Sequence, residues 1–152
     1  MSAFGGSIEE THGRYIISTD PDRVDLDVVH RFLSEESYWA RGRSRDAQRL
    51  ANDLSPLVVG AYLDGQQVGF ARMVTDLVAF GYLADVFVLP GHRGTGLGTA
   101  IVQAIVEHPE LKGLKWQLLA TDDAHGVYGE FGFVPLADST QWMIRPGPPA
   151  EE

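Results

Sequence analysis

No cysteine occurs anywhere in the 152 residues. That absence rules out disulfides, thiolate nucleophiles and cysteine-built zinc sites together, and it fits a cytoplasmic location. No apolar run approaches the ~18 residues of a membrane-spanning helix, so no membrane partner is expected. The segment from Met1 to Ser7 has neither the basic start nor the apolar middle of a secretory leader, and none is expected. Basic residues are scarce: 12 Lys and Arg against 21 Asp and Glu, for a formal charge of −9. Such a surface repels phosphate backbones, which argues against a nucleic-acid partner, and it attracts a cation such as an amine. The histidines His12, His30, His92, His108 and His125 show no metal-ligand spacing, so no metal is expected. There are no repeats and no internal linker, and the length suits one domain with a sizeable core.

What is present concentrates between Leu83 and Val106. An apolar run carrying one carboxylate, Asp85, stops at Pro90-Gly91 and passes through Gly94, Gly96 and Gly98. It resumes as Leu97, Ile101, Val102, Ile105 and Val106, apolar residues at helical spacing. The pattern reads strand, glycine-rich turn, helix. Glycines at a helix entrance leave N–H groups uncovered at the positive end of the helix dipole, a setting suited to phosphate. The dinucleotide fingerprint G-x-G-x-x-G fails because Thr99 stands at its last glycine. The P-loop fails because Leu97 stands at its lysine. The pattern that fits is Arg93-Gly94-Thr95-Gly96-Leu97-Gly98, an R-x-x-G-x-G. A second stretch, Ala124 to Phe133, reads A-x-x-x-Y-x-x-x-G-F with Tyr128 at its tyrosine.

Together, in this order and separation, the two stretches resemble the GNAT superfamily of N-acetyltransferases over about 57–134. The resemblance implies an α/β fold of α+β character: a mixed, twisted central sheet of 6–7 strands, helices on both faces, and a central parallel pair that splays apart. It also implies acetyl-coenzyme A as cosubstrate. Its pantetheine arm would pair with the main chain of Val86, Phe87 and Val88. Its pyrophosphate would sit on amides of Arg93, Gly94, Thr95, Gly96, Leu97, Gly98 and Thr99, with Gly98 letting the helix pack close to the sheet. Thr121 stands where many relatives carry asparagine, and a hydroxyl offers the pantetheine a different geometry. Tyr128 falls where the family's general acid is placed. Asp85 matches a position where many members carry a glutamate base. A carboxylate in an apolar strand is costly unless paired or working, so Asp85 is either that base, acting through water, or a structural hydrogen-bond anchor.

Acetyl transfer to an amine needs a neutral amine, a polarised thioester carbonyl and a stabilised leaving thiolate. No protein nucleophile is required if the amine attacks directly in a ternary complex, and the absence of cysteine agrees with that route. The expected acceptor is a small primary amine. A protein or peptide amine is the alternative within the class, and a non-catalytic acyl-coenzyme A sensor the alternative outside it. The resemblance leaves a homodimer open.

Along the chain, residues 1–13 are expected to be a flexible tail, 14–145 the domain and 146–152 a disordered end. A strand is expected at 14–19, then a helix capped by Asp20 with Pro21 at its first position, running to Ser34. The loop Ser37 to Ser44 is expected to line the acceptor site through Tyr38, Trp39 and Arg41. Ser44 should cap a helix to Asn52 with Ala47, Leu50 and Ala51 inward. Strands follow at 57–63, 67–74 and 79–89, the first two joined by an Asp64-Gly65 hairpin turn. A helix at 99–107, a parallel strand at 115–120 and a helix at 124–131, capped by Asp122 or Asp123, come next. Strands near 133–135 and 142–145 complete the expected sheet.

Overall fold

A computed structural model describes residues 6–149; the outermost ends of both expected tails lie outside the described residues. Six strands form one sheet in chain order: β1 (Glu9–His12), β2 (Tyr15–Ser18), β3 (Leu57–Leu63), β4 (Gln66–Thr75), β5 (Phe80–Val88) and β6 (Trp116–Leu118). The first five pair antiparallel and β6 runs parallel to β5. The helices are α1 (Leu26–Glu35), α2 (Arg45–Asp53), α3 (Leu97–Val106) and α4 (His125–Gly129).

The turns follow from a few residues able to take positive φ. Asp64 and Gly65, at φ 50° and 81°, make the two-residue turn between β3 and β4, as a primed hairpin requires. Gly13, at φ 58°, opens the turn between β1 and β2. That second hairpin corrects the expected flexible tail, because Glu9–His12 pairs with Tyr15–Ser18 along its whole length. The expected helix after Asp20 also divides. Asp20 caps only a single 3-10 turn at Pro21–Arg23, and Asp25 begins α1 by accepting from the amides of Asp27 and Val28.

The sheet is buried on both faces, which is why β3 is apolar throughout rather than alternating. On one face α3 packs through Leu97, Ile101 and Ile105 against Ile17, Val59, Met73 and Leu83. On the other, α1 packs through Val29, Phe32 and Leu33 against Val58, Phe70 and Phe87, with the Phe32 and Phe87 rings stacked at 4.3 Å. The close approach of α3 to the sheet is made at Gly69, where an added Cβ would lie 2.6 Å from Ile101 Cδ1. At Gly98, expected to serve that purpose, a Cβ would meet only Val88 at an ordinary 3.7 Å. Helix α2 turns Gln48 inward, fully buried, while Leu50 is 59% exposed. The inward side of α2 is polar because it meets a charged group on β5 rather than the apolar core.

Two irregularities in β5 create the site. Asp85 has φ 56°, a left-handed conformation that aspartate tolerates better than most residues. It marks a bulge: on β4, Phe70 opposes Phe87 and Arg72 opposes Ala84, so Ala71 faces two residues of β5. The bulge shifts the alternation, sending Leu83 and Phe87 into opposite core clusters although they are four residues apart. Further, β5 pairs with β6 only from Phe80 to Tyr82, opposite Trp116 to Leu118. Beyond Tyr82 the two part, and the gap opens between Leu83–Val88 and Leu119–Thr121.

The strands expected near 133–135 and 142–145 do not form; a 3-10 turn at Ser139–Gln141 lies between those segments. Pro135 lacks an N–H for a ladder, and Asp138 ties the turn by accepting from Thr140 and Gln141. Val134, Met143 and Ile144 are left exposed.

Candidate active site

The gap between β5 and β6 is one end-to-end cleft of about 640 Å³. Arg93 and Gly98 lie along it beside the glycine loop; Val86, Phe87 and Val88 form one wall, and Leu119, Ala120 and Thr121 the other. Tyr38, Trp39, Arg43, Arg72 and Asp85 line it as well, and Tyr128 and Val127 of α4 reach it from the side.

The glycine loop has the form expected of an anion cradle. Gly94 and Gly96 both take φ 78°, and Gly96 is the residue from which α3 starts. The amides of Leu97, Gly98 and Thr99 are in the first helical turn and have no intrahelical acceptors. The Leu97 side chain is buried in the core and Thr95 Oγ1 donates to the carbonyl of His92, so both brace the loop. Arg93 Nε donates to the Val88 carbonyl at 3.0 Å, tying the loop to the end of β5. The N-terminal hairpin braces it from the outside. His12 Nε2 lies 2.9 Å from the Thr95 carbonyl, and the Tyr15 hydroxyl lies 3.0 Å from His92 Nδ1. Neither His12 nor Tyr15 was legible as a loop contact, because the hairpin that carries them went unread.

Asp85 is enclosed by donors. Its Oδ2 accepts from Arg72 Nε at 2.7 Å, Arg43 Nη1 at 2.8 Å and Gln48 Nε2 at 3.3 Å, and its Oδ1 from Trp39 Nε1 at 2.9 Å. Its side chain is 1% exposed. Burial by itself raises the carboxyl pKa, but the charges and hydrogen bonds of Arg72 and Arg43, with that of Trp39, outweigh it and hold the group below the ordinary aspartate value. A carboxylate so engaged has the geometry of the hydrogen-bond anchor, one of the two roles open to it from the sequence. The anchor organises two elements at once. Arg43 and Trp39 belong to the loop between α1 and α2, and Gln48 to α2, so one buried charge pins that loop to the sheet.

Tyr128 is half-buried, its ring edge-on to Phe133 at 6.1 Å. Burial, then the neighbouring Tyr38 and the Asp123 charge, raise its pKa, so it stays protonated at neutral pH and available as a donor. The Tyr38 hydroxyl accepts from the amide of Asp122 at 3.1 Å and so bridges the cleft from the α1–α2 loop to the turn before α4. Thr121 lines the cleft, yet its Oγ1 accepts from the Ala124 amide at 3.2 Å and the Asp123 amide at 3.4 Å. Thr121 therefore ties the turn into α4, the task expected of Asp122 or Asp123.

The structure thus brings Asp85, Tyr128, Tyr38, Trp39, Val86, Phe87, Val88, Arg93, Gly98 and Thr121 onto one cleft. Arg41 is exposed and outside the lining; Arg43, two residues on, takes the inward place. Sequence reading missed Arg72 and Gln48. The signal for Arg72 was a lone charge in the apolar run Val68 to Val74, which needs a buried partner as much as Asp85 does. Among the described residues no group of three or more His, Asp or Glu is placed to hold a metal.

Residues 26–133 match the profile of the acetyltransferase (GNAT) family. The chain is 33% identical over 139 residues to "Putative acetyltransferase FG08082" of Gibberella zeae, covering 76% of each. It superposes with a TM-score of 0.84 and 42% identity on the crystal structure of a "putative acetyltransferase belonging to the gnat family" from Xanthomonas campestris pv. campestris, covering 88% of this chain and 94% of that one. A predicted acetyltransferase from Clostridium acetobutylicum, solved with acetyl-CoA, shares the fold with a TM-score of 0.61 at 19% identity, covering 87% and 94%.

Proposed function

The chain belongs to the GNAT family of acetyl-CoA-dependent N-acetyltransferases, and on that premise we propose that it acetylates a small primary amine by direct attack in a ternary complex. The observation that carries this reading is the unbroken cleft, which joins a glycine loop built for an anion to a polar end built from Tyr38, Trp39, Arg43, Arg72 and Asp85. Acetyl-CoA supplies the activated acyl thioester. The residues present suit it: the amides from Gly94 to Thr99 offer the pyrophosphate a helix N-terminus, and the splayed strand from Val86 to Val88 offers the pantetheine amides a partner. Because Arg93 already occupies the Val88 carbonyl, Val86 and Phe87 are the better candidates for that pairing.

Tyr128 acts as the general acid. A hydroxyl with a raised pKa holds its proton at neutral pH and gives it to the departing sulfur. Asp85 acts as the anchor, and Arg43, Arg72 and Trp39 keep the acceptor wall in place around it. A lysine-like amine has a pKa of about 10.4, so the acceptor must shed a proton before attack. The exposed Asp122 and Asp123 at the open side of the cleft offer water a route for that proton.

Calorimetric titration with acetyl-CoA, with ATP and NAD as controls, tests the cosubstrate site. An amine panel followed by release of free thiol then separates an enzyme from a sensor. Saturable binding of acetyl-CoA with thiol release on adding an amine is expected. Binding without release for any amine would support the sensor, and no binding would sink the reading altogether.

A further inference from the structure

Resting on that reading and going beyond it, we infer that the acceptor carries a carboxylate as well as its amine, and that Arg43 and Arg72 hold that carboxylate. The inner wall of the cleft holds two guanidinium groups against one carboxylate, so it keeps one positive charge in excess. Excess charge away from water is costly and is relieved by a ligand of opposite sign. Asp85 is spent, with three donors on Oδ2 and Trp39 on Oδ1. The arginines are not. Arg43 reaches Asp85 and Gln48 through Nη1 alone, and Arg72 reaches Asp85 and Ser55 through Nε and Nη1. A guanidinium has five N–H donors in a rigid fork, so Nη2 of both residues, and Nε of Arg43, remain beyond these bonds. Both side chains line the cleft, and they are 26% and 13% exposed where Asp85 is 1%. Paired N–H donors of this shape match a carboxylate.

The same cleft also carries the other sign. In the turn before α4, Asp122 and Asp123 line it, and Asp123 is close enough to Tyr128 to act on its hydroxyl. An acceptor with one anionic and one cationic end therefore has a single favoured orientation. Its carboxylate points to the arginines on β4 and the α1–α2 loop, and its amine points to Tyr128. The chemical class is an amino acid or a short ω-amino acid, not a polyamine and not a neutral amine.

The test compares matched pairs of acceptors: glycine, β-alanine, 4-aminobutyrate, 6-aminohexanoate, ornithine and lysine, each against its neutral amide. Initial rates are read by thiol release at saturating acetyl-CoA. At one chain length or more the acid should exceed its amide at least tenfold in kcat/KM. Arg43→Gln should collapse that ratio toward one, mainly through KM of the acid, and Arg43→Lys should restore part of it. A purely structural arginine would instead lower acid and amide together and leave the ratio untouched. Acetyl-CoA titration of each variant reports whether it is folded. Should Arg43→Gln not fold, the wild type decides: propionate and butyrate should inhibit competitively with the amine and not with acetyl-CoA. Amides as good as acids at every length, or no member acetylated, would overturn the inference while acetyl-CoA binding and turnover of other amines left the enzyme reading standing. Failure to bind acetyl-CoA would bring down the enzyme reading first, and this inference with it.

Discussion

Replacing Asp85 by asparagine removes one charge and almost nothing else. Asparagine has the same size and, like aspartate, accepts a left-handed backbone, so the φ of 56° adds no new strain. What is lost is the partner of two arginines whose side chains are only 13% and 26% exposed. With its single oxygen turned to the donors of Arg72, Arg43 and Gln48, the amide would also set its N–H₂ against the donor Trp39 Nε1. Breaking a buried pair from one side costs about 3–5 kcal/mol. The partial exposure of Arg43 screens part of this, so the lower end, about 3 kcal/mol, is expected. Urea unfolding followed by fluorescence should show a lower midpoint with an unchanged slope. For a chain of this length Tm should fall by roughly 6–12 °C, at about 2–4 °C per kcal/mol. The pH dependence follows in sign. The folded pKa lies below the unfolded value of about 3.9, so the stabilisation is complete above that value and is lost as pH falls through the folded pKa. The gap between wild type and Asp85→Asn should hold steady from pH 8 to about 5 and narrow below about 4. A loss under about 1 kcal/mol at pH 7, the size of a surface ion pair, would refute the view of Asp85 as the buried anchor of the acceptor wall.

Tyr128→Phe should lower kcat by about 10²–10⁴-fold, the usual worth of a general acid, with the acetyl-CoA dissociation constant unchanged by calorimetry; an unaltered kcat would remove the acid role. Gly96→Ala should cost about 1–2 kcal/mol of stability, because its φ of 78° is unfavourable to an L side chain, and should weaken acetyl-CoA binding measured by titration. Gly98→Ala, in α3 with only an ordinary contact to Val88, should leave the urea midpoint unchanged or raised. Gly69→Ala should destabilise by about 1–3 kcal/mol as overpacking does, since its Cβ would press on Ile101 and lie 3.2 Å from the Phe87 carbonyl; a midpoint equal to wild type would show that α3 does not set that spacing.

The sequence by itself determined what depends on neighbours in the chain. The two glycine-bearing stretches, Arg93 to Gly98 and Ala124 to Phe133, carried the family. Apolar runs bounded by turn residues placed β3, β4, β5 and α3 to within two residues, because periodicity and turn chemistry act over a few positions. The parallel course of β6 followed from the helical crossover that joins it to β5, whereas its divergence from β5 came only through the resemblance. Tertiary structure decided what depends on partners distant in the chain. Asp85 became an anchor because Trp39, Arg43, Gln48 and Arg72, spread over three other elements, converge on it. No local pattern encodes that convergence, and a bulge at a non-glycine residue leaves no periodic trace. Arg43 rather than Arg41 turns inward for the same reason: both are loop arginines, and the partners that hold Arg43, Asp85 and Gln48 for its side chain and His30 for its carbonyl, lie on other elements. The N-terminal hairpin escaped because a four-residue strand of Glu-Glu-Thr-His has no apolar face. It is held by hydrogen bonds to β2 and by His12 on the glycine loop, the second a contact that exists only once the rest of the sheet is in place.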